Sequence, residues 1–325
     1  MSDRALVVTR PGDRSVLAVE SREIAPPAAH EVRVVVEAIG VNFIDVYQRE
    51  GTYPIEAPFV LGSEGAGTVD AVGSEVSDVS VGDRVAWAMV LGSGATRANI
   101  PAASLVPVPE GVSSEDAAAA MLQGMTAHYL VTDTYAIGEG DVALVHAAAG
   151  GVGQLLTQLI AARGGRVIAT AGTEDKCAIA RSRGAEVAIN YADVDDLAAA
   201  VREATGGAGV HVVYDGVGAS TFDASLASLR PRGMLALYGA ASGAVEPFDP
   251  QRLNSGGSLF LTRPSLAHYI SSREELLWRA GEVLAAVAEG SLELEIGGRY
   301  PLDDAAQAYA ALESRSSTGK LLLIP

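Results

Sequence analysis

The sequence predicts an α/β protein in which a doubly wound parallel sheet is inserted in a discontinuous, mainly β domain. Three observations carry that expectation. Strands and helices alternate in chain order from Asp141, a glycine-rich strand-to-helix turn opens the alternation, and the flanking segments read as short strands joined by tight turns. A length of 325 residues suits two domains, and 49% apolar against 19% charged side chains leaves enough apolar surface to bury a core in each.

In the first third, residues 5–9, 31–38, 67–72 and 84–89 are β-branched runs separated by Gly, Pro, Asp and Ser, as strands of an antiparallel unit should be. Alanine-rich helical periodicity begins near Glu115. Beyond Asp141, residues 142–147, 166–171, 187–190, 210–215 and 234–239 read as strands, with helices over 152–162, 175–183 and the later intervals. Residues 258–262 form a candidate last strand of that sheet. Residues 273–289 make a long amphipathic helix and 320–324 a final strand whose texture matches the first region. The expected division is a discontinuous domain of residues 1–120 plus 263–325 around a nucleotide domain of 121–262.

Composition narrows the function classes. Forty acidic against 23 basic side chains give a net charge of −17, which repels phosphate backbones, so neither nucleic acid nor an anionic membrane surface is an expected partner. Cys177 is the single cysteine, which excludes an internal disulfide and a cysteine-rich metal site and fits a reducing, cytoplasmic setting. The opening residues, with Asp3, Arg4, Arg10, Asp13 and Arg14, lack a basic-then-apolar leader, and no uncharged stretch approaches the roughly 18 apolar residues of a membrane span. Lys176 and Lys320 are the only lysines.

The strand ending at His146 runs through Ala147-Ala148-Ala149-Gly150-Gly151-Val152-Gly153 straight into a helix. This is the dinucleotide fingerprint with Ala147 in the first glycine's place: small residues admit a pyrophosphate to the backbone, and the helix start offers it free N–H groups. Ala149, Gly150, Gly151, Val152 and Gly153 are therefore cofactor candidates. The next strand ends Ala171-Gly172-Thr173, where an NAD enzyme usually places an acid for the ribose 2′-hydroxyl. Instead Gly172 and Thr173 offer donors, Lys176 lies within one helical turn, and Tyr191 follows the third strand. A lysine there supplies the counter-charge of a 2′-phosphate, so NADPH is the expected cofactor, although Glu174 and Asp175 leave a 2′-hydroxyl contact open. Gly218, after the fourth strand, and Tyr238, Gly239 and Ala241, after the fifth, stand at the sheet edge where such proteins bind ligands.

Several further blocks complete a pattern: Gly40-Val41-Asn42-Phe43-Ile44-Asp45-Val46-Tyr47, Tyr53-Pro54, Leu61-Gly62-Ser63-Glu64-Gly65-Ala66-Gly67, Gln123-Gly124-Met125-Thr126-Ala127, Asn190-Tyr191, Tyr214-Asp215-Gly216-Val217-Gly218, Thr262-Arg263-Pro264-Ser265-Leu266 and Glu313-Ser314-Arg315. In order and spacing these resemble, over essentially the whole chain, the zinc-free quinone oxidoreductase (zeta-crystallin-like) branch of the medium-chain dehydrogenases/reductases. The resemblance implies an alcohol dehydrogenase-like architecture, with a Rossmann sheet inserted in a GroES-like catalytic domain, and usually a homodimer. It implies hydride transfer from NADPH to small quinones in a cleft between the domains; a closely related alternative is reduction of alkenal or enone double bonds.

By the same resemblance Asn42 and Thr126 fall near the nicotinamide and its ribose, Asp45, Tyr47 and Tyr53 in the substrate cleft, and Arg315 over the phosphates. Read from its residue type alone, Asn42 also suits a turn residue closing a helix. A tyrosine can stack on a planar quinone and donate to its developing oxyanion. No metal is expected, because Asn42 and Ser63 stand where zinc-dependent relatives show a cysteine and a histidine, and His146, which ends an apolar strand, reads as a core residue. A non-catalytic, RNA-binding role of the zeta-crystallin kind is disfavoured by the acidic charge and the lack of a basic stripe.

Overall fold

The structure, a computed structural model, describes residues 3–325 and falls into two compact units, one running up to Met125 and resuming at Tyr269–Pro325, the other Thr126–His268.

In the first unit the central strand is Glu31–Val41. Val32, Val34 and Val36 alternate inward, and from Ala38 to Val41 both faces are covered. It lies in a seven-stranded sheet ordered Ile296–Pro301, Lys320–Ile324, Glu31–Val41, Glu64–Val72, Arg84–Ala88, Val106–Pro107, with Arg97–Pro101 also paired to the central strand. The C-terminal strand is antiparallel to the central one, Leu321 facing Val41 and Leu323 facing Ile39. A second antiparallel sheet joins Leu17–Ser21, Arg4–Val8 and Phe59–Val60. Leu6, Val34, Ile39, Trp87, Ile100, Leu321 and Leu323 are among the buried residues of one core. The short helix Phe43–Glu50 leaves the end of the central strand and is anchored by Arg49. This guanidinium is wholly buried and reaches Glu313 Oε1 at 2.6 Å and Gly12 O at 3.1 Å.

The second unit is a six-stranded parallel sheet ordered Val187–Asn190, Arg166–Ala171, Val142–Val145, Val210–Asp215, Leu229–Leu237, Phe260–Thr262. Numbered along the chain this is the 3-2-1-4-5-6 order of doubly wound dinucleotide folds, whose direction reverses between Val142–Val145 and Val210–Asp215. Fully buried Leu144, Val213 and Leu235 show why these strands read as near-continuous apolar runs: helices cover both faces. The strand expected over 234–239 begins earlier, at Leu229, with a register irregularity between Val210 and Val212 on its neighbour; Pro231 and Gly233 lie inside it and gave it the look of a turn. Among the described residues no helix is long and apolar enough to cross a membrane.

Candidate functional site

The glycine turn sits at the reversal of strand order, at the carboxyl end of Val142–Val145. Ala147 adopts a left-handed φ of 49°, a conformation that glycine takes freely and alanine only at a cost. Gly150 N–H closes the turn on Ala147 O at 2.9 Å, and Gly150 then serves as the N-cap of helix Gly151–Ala162 with no side chain over the helix end. The first amides of the helix are thus left for an anion. Gly153 packs helix on strand: a Cβ there would lie 2.4 Å from Ala147 O and 2.7 Å from Ala148 Cα.

One strand over, Gly172, Thr173, Lys176 and Tyr191 come together. The Thr173 hydroxyl accepts the Lys176 N–H at 3.3 Å and caps helix Glu174–Ser182. The half-exposed Tyr191 ring lies against Gly172, so close that a Cβ on Gly172 would stand 2.4 Å from its hydroxyl. Partial burial lowers the Lys176 ammonium pKa. On the far side of the reversal, Gly218 (φ 92°) approaches Gly243 O and Ala240, and Ser242 N–H donates to Val217 O at 2.7 Å, fastening the loop of Tyr238, Gly239 and Ala241 to that of Gly218. Thr126, also in this unit, is buried on helix Ser114–Tyr129.

Four of the remaining candidates cluster in the first unit around helix Phe43–Glu50. Tyr47 and Tyr53 meet edge to face, ring centroids 5.5 Å apart at 73°, and Tyr53 N–H donates to Tyr47 O at 3.0 Å; Tyr53 is 44% exposed. Asn42 is the N-cap of the helix, so it opens a helix where its turn reading had it close one. Its side chain turns away from the helix: Nδ2 donates to Glu64 Oε2 at 2.8 Å and to Gly40 O at 3.2 Å, while Oδ1 accepts from Lys320 Nζ at 2.8 Å. Arg315 is exposed in a left-handed turn after helix Ala305–Glu313.

Asp45, expected in the substrate cleft, is fully buried, and its Oδ2 accepts the Asn42 backbone N–H at 2.9 Å and the Tyr309 hydroxyl at 3.1 Å. A carboxylate three residues into a helix reaches back naturally to the orphan amide at the cap, and here that contact claims it. Burial raises its pKa from 3.8 to about 6, against the smaller lowering effects of the Asn42 amide, Ser63 and Lys320. Burial also holds the Tyr309 phenol well above its usual range.

Sequence reasoning passed over Lys320 and Glu64, which join Asn42 in a buried triad; Lys320 Nζ stands 2.5 Å from Glu64 Oε2, and Glu64 Oε1 accepts the Leu122 N–H. The available signal was a lysine opening an apolar Leu-Leu-Leu-Ile strand, a charge that needs a partner. His146 is a satisfied core residue, bonded to Thr170 and Ser225. No group of three or more His, Cys, Asp or Glu is placed to hold a metal among the described residues.

A GroES-like unit interrupted by a dinucleotide-binding sheet defines the medium-chain dehydrogenase/reductase class, and comparison with known proteins agrees. Residues 28–138 match the alcohol dehydrogenase GroES-like domain and residues 151–277 the zinc-binding dehydrogenase family. Quinone oxidoreductase 1 of Escherichia coli is 44% identical over 305 residues, 93% of each chain. The 2-haloacrylate reductase of a Burkholderia species is 40% identical over 329 residues, covering 99% of this chain and 98% of the relative. A mycobacterial protein solved in complex with NADPH is 50% identical, superposes with a TM-score of 0.96, and is matched over 99% of this chain and 100% of its own. The chain belongs to the quinone oxidoreductase family of medium-chain dehydrogenases/reductases.

Proposed function

We propose that the protein reduces small quinones with NADPH and needs no metal ion. The observation that carries the reading is the pair of anion-ready features on one sheet edge: the bare helix start at Gly150–Gly153, and the Gly172, Thr173, Lys176 and Tyr191 cluster beside it. The first suits a pyrophosphate and the second a 2′-phosphate. Full-length likeness to quinone oxidoreductases, and to a relative solved with NADPH, supports the same assignment. When bound, the reduced nicotinamide supplies the hydride.

In this reading Ala149, Gly151 and Val152 share the pyrophosphate contact. Gly218, Tyr238, Gly239 and Ala241 border the dinucleotide, Arg315 contributes charge to its phosphates, and Asn42 and Thr126 keep the nicotinamide roles that family resemblance gives them. Tyr47 and Tyr53 are assigned to the quinone, where a phenol O–H can donate to the oxygen that gains charge. A hydroquinone can collect its protons from water, so positioning by these groups is the main catalytic contribution. Metal independence rests on chemistry: an amide (Asn42) and a hydroxyl (Ser63) are poor substitutes for a thiolate and an imidazole, and Glu64 is already neutralised by Lys320.

Reduction of an activated double bond is the second reading, favoured by the likeness to 2-haloacrylate reductase. We further assign the protein to the cytoplasm, in keeping with its single, buried cysteine, and as a homodimer, since Phe260 is 56% exposed on the last strand of the sheet. Light scattering of the purified protein tests the dimer. The activity is tested by following NADPH and NADH oxidation with a benzoquinone, a naphthoquinone and an enal. Quinone turnover favouring NADPH is expected, and enal turnover alone would move the protein to the double-bond reductases.

A further inference from the structure

Beneath the turns of the nucleotide unit runs a buried chain of four polar side chains: Thr170, His146, Ser225 and Asp215, each 1% exposed or less. Thr170 Oγ1 lies 2.8 Å from His146 Nδ1, His146 Nε2 lies 3.0 Å from Ser225 Oγ, and Ser225 Oγ lies 2.7 Å from Asp215 Oδ2. The direction of donation follows from the inventory of each group. A carboxylate only accepts, so the Ser225 hydroxyl donates to Asp215; the Ser225 oxygen then accepts from His146 Nε2–H; and Nδ1, left without a proton, accepts from the Thr170 hydroxyl. Burial lowers the His146 pKa, which keeps the ring neutral and able to play both parts at once.

The ends of this chain are the roots of the candidate cofactor turns. His146 is followed by Ala147 and the glycine turn. Thr170 lies two residues before Gly172. Asp215 holds the next loop directly, its Oδ1 accepting the N–H groups of Val217 at 2.8 Å and Gly218 at 3.0 Å, while the Thr221 hydroxyl donates to both of its oxygens. Strands at 142–145, 166–171 and 210–215 are therefore locked to one another at their carboxyl ends through side chains, in addition to the backbone ladder.

We infer that Thr170, His146, Ser225 and Asp215 form a positioning chain that presets the three turns for the dinucleotide, so that cofactor affinity is limited by this chain and not only by the residues that touch the ligand. The inference rests on the proposed NADPH site. None of the four is a catalytic residue; His146, Thr170 and Asp215 act through the turns that follow them, and Ser225, on helix Phe222–Ser228, links His146 to Asp215.

The test is NADPH affinity, followed by nicotinamide fluorescence, alongside the thermal midpoint of each variant. Thr170→Val and Ser225→Ala each remove one hydroxyl and little volume. Each should raise the NADPH Kd about tenfold, the scale of one lost buried hydrogen bond. Thr170→Ser keeps the hydroxyl and should restore wild-type affinity. Because both bonds act through the same imidazole, Thr170→Val and Ser225→Ala combined in one chain should cost clearly less than the roughly hundredfold expected of independent sites. A lowered thermal midpoint with unchanged Kd would reduce the chain to a packing feature and overturn the inference, as would full additivity or failure of Thr170→Ser to restore binding. Wild-type protein that bound no NADPH would instead remove the cofactor site itself, and the inference with it.

Discussion

Lys320 Nζ stands 2.5 Å from Glu64 Oε2 with both side chains buried, the lysine 2% and the glutamate 0% exposed. A buried ion pair is poor evidence of net stabilisation, but removing one partner strands the other charge. Lys320→Met should therefore cost about 3–5 kcal/mol and lower the thermal midpoint by about 10 °C. Adding Glu64→Gln to that variant should recover much of the loss. A midpoint unchanged in Lys320→Met would mean that water or another cation already serves Glu64.

Asp45 gives a pH signature of defined sign. Its carboxyl binds the proton more tightly folded (about 6) than unfolded (near 3.8), because burial disfavours the charge. Its contribution to stability is thus fully present below the unfolded value and is lost as the pH rises through the folded one, a penalty of about 3 kcal/mol at neutral pH. Asp45→Asn keeps an acceptor for the Asn42 amide and cannot ionise. Between pH 4 and pH 7 the stability of the wild type should fall relative to this variant by about 2 kcal/mol, most of that amount. Parallel urea midpoints at the two pH values would refute the burial argument.

Legibility in the sequence followed the range of the forces involved. Strands Arg166–Ala171, Val187–Asn190, Val210–Asp215 and Lys320–Ile324 were readable to the residue, because a β-branched or apolar run bounded by turn residues is a local signal. Two-residue ladders such as Phe59–Val60 and Val106–Pro107 have no period to detect and exist only through their partners. The glycine turn and its neighbouring cofactor candidates were legible as a motif on a strand-to-helix junction. The Asn42, Glu64 and Lys320 triad was not, since Lys320 meets its partners across 256 and 278 residues of chain. The burial of Asp45 was not legible for a related reason: a carboxylate near a helix start carries no local sign of how deeply tertiary packing will cover it.

Gly150 and Gly153 should behave differently on substitution by alanine, although the motif treats them alike. A Cβ on Gly153 would collide with backbone of Ala147 and Ala148, which cannot move without shifting helix Gly151–Ala162 off its strand. A Cβ on Gly150 meets only Ala147 O, at 3.2 Å. Gly153→Ala should cost about 1–3 kcal/mol, as overpacking does, together with NADPH affinity. Gly150→Ala should leave the thermal midpoint within about 2 °C and weaken the cofactor alone. Equal destabilisation of the two variants would contradict the packing assigned to Gly153.

Lys176 bears on the choice of cofactor. Its position on the first turn of helix Glu174–Ser182, beside Gly172 and the capping Thr173, suits a phosphate on the adenosine ribose, whereas a hydroxyl there has no charge to match. Partial burial lowers its pKa, which raises the value of an anion that would hold the ammonium charged. Lys176→Ala should raise the KM for NADPH about tenfold or more, the loss of one charge-assisted hydrogen bond, and leave the KM for NADH within about twofold. Steady-state rates with one quinone and both nucleotides give the comparison directly. If NADH and NADPH lose equally, Lys176 acts on the fold of the turn; if only NADPH suffers, the lysine reads the phosphate and accounts for the preference between the two nucleotides.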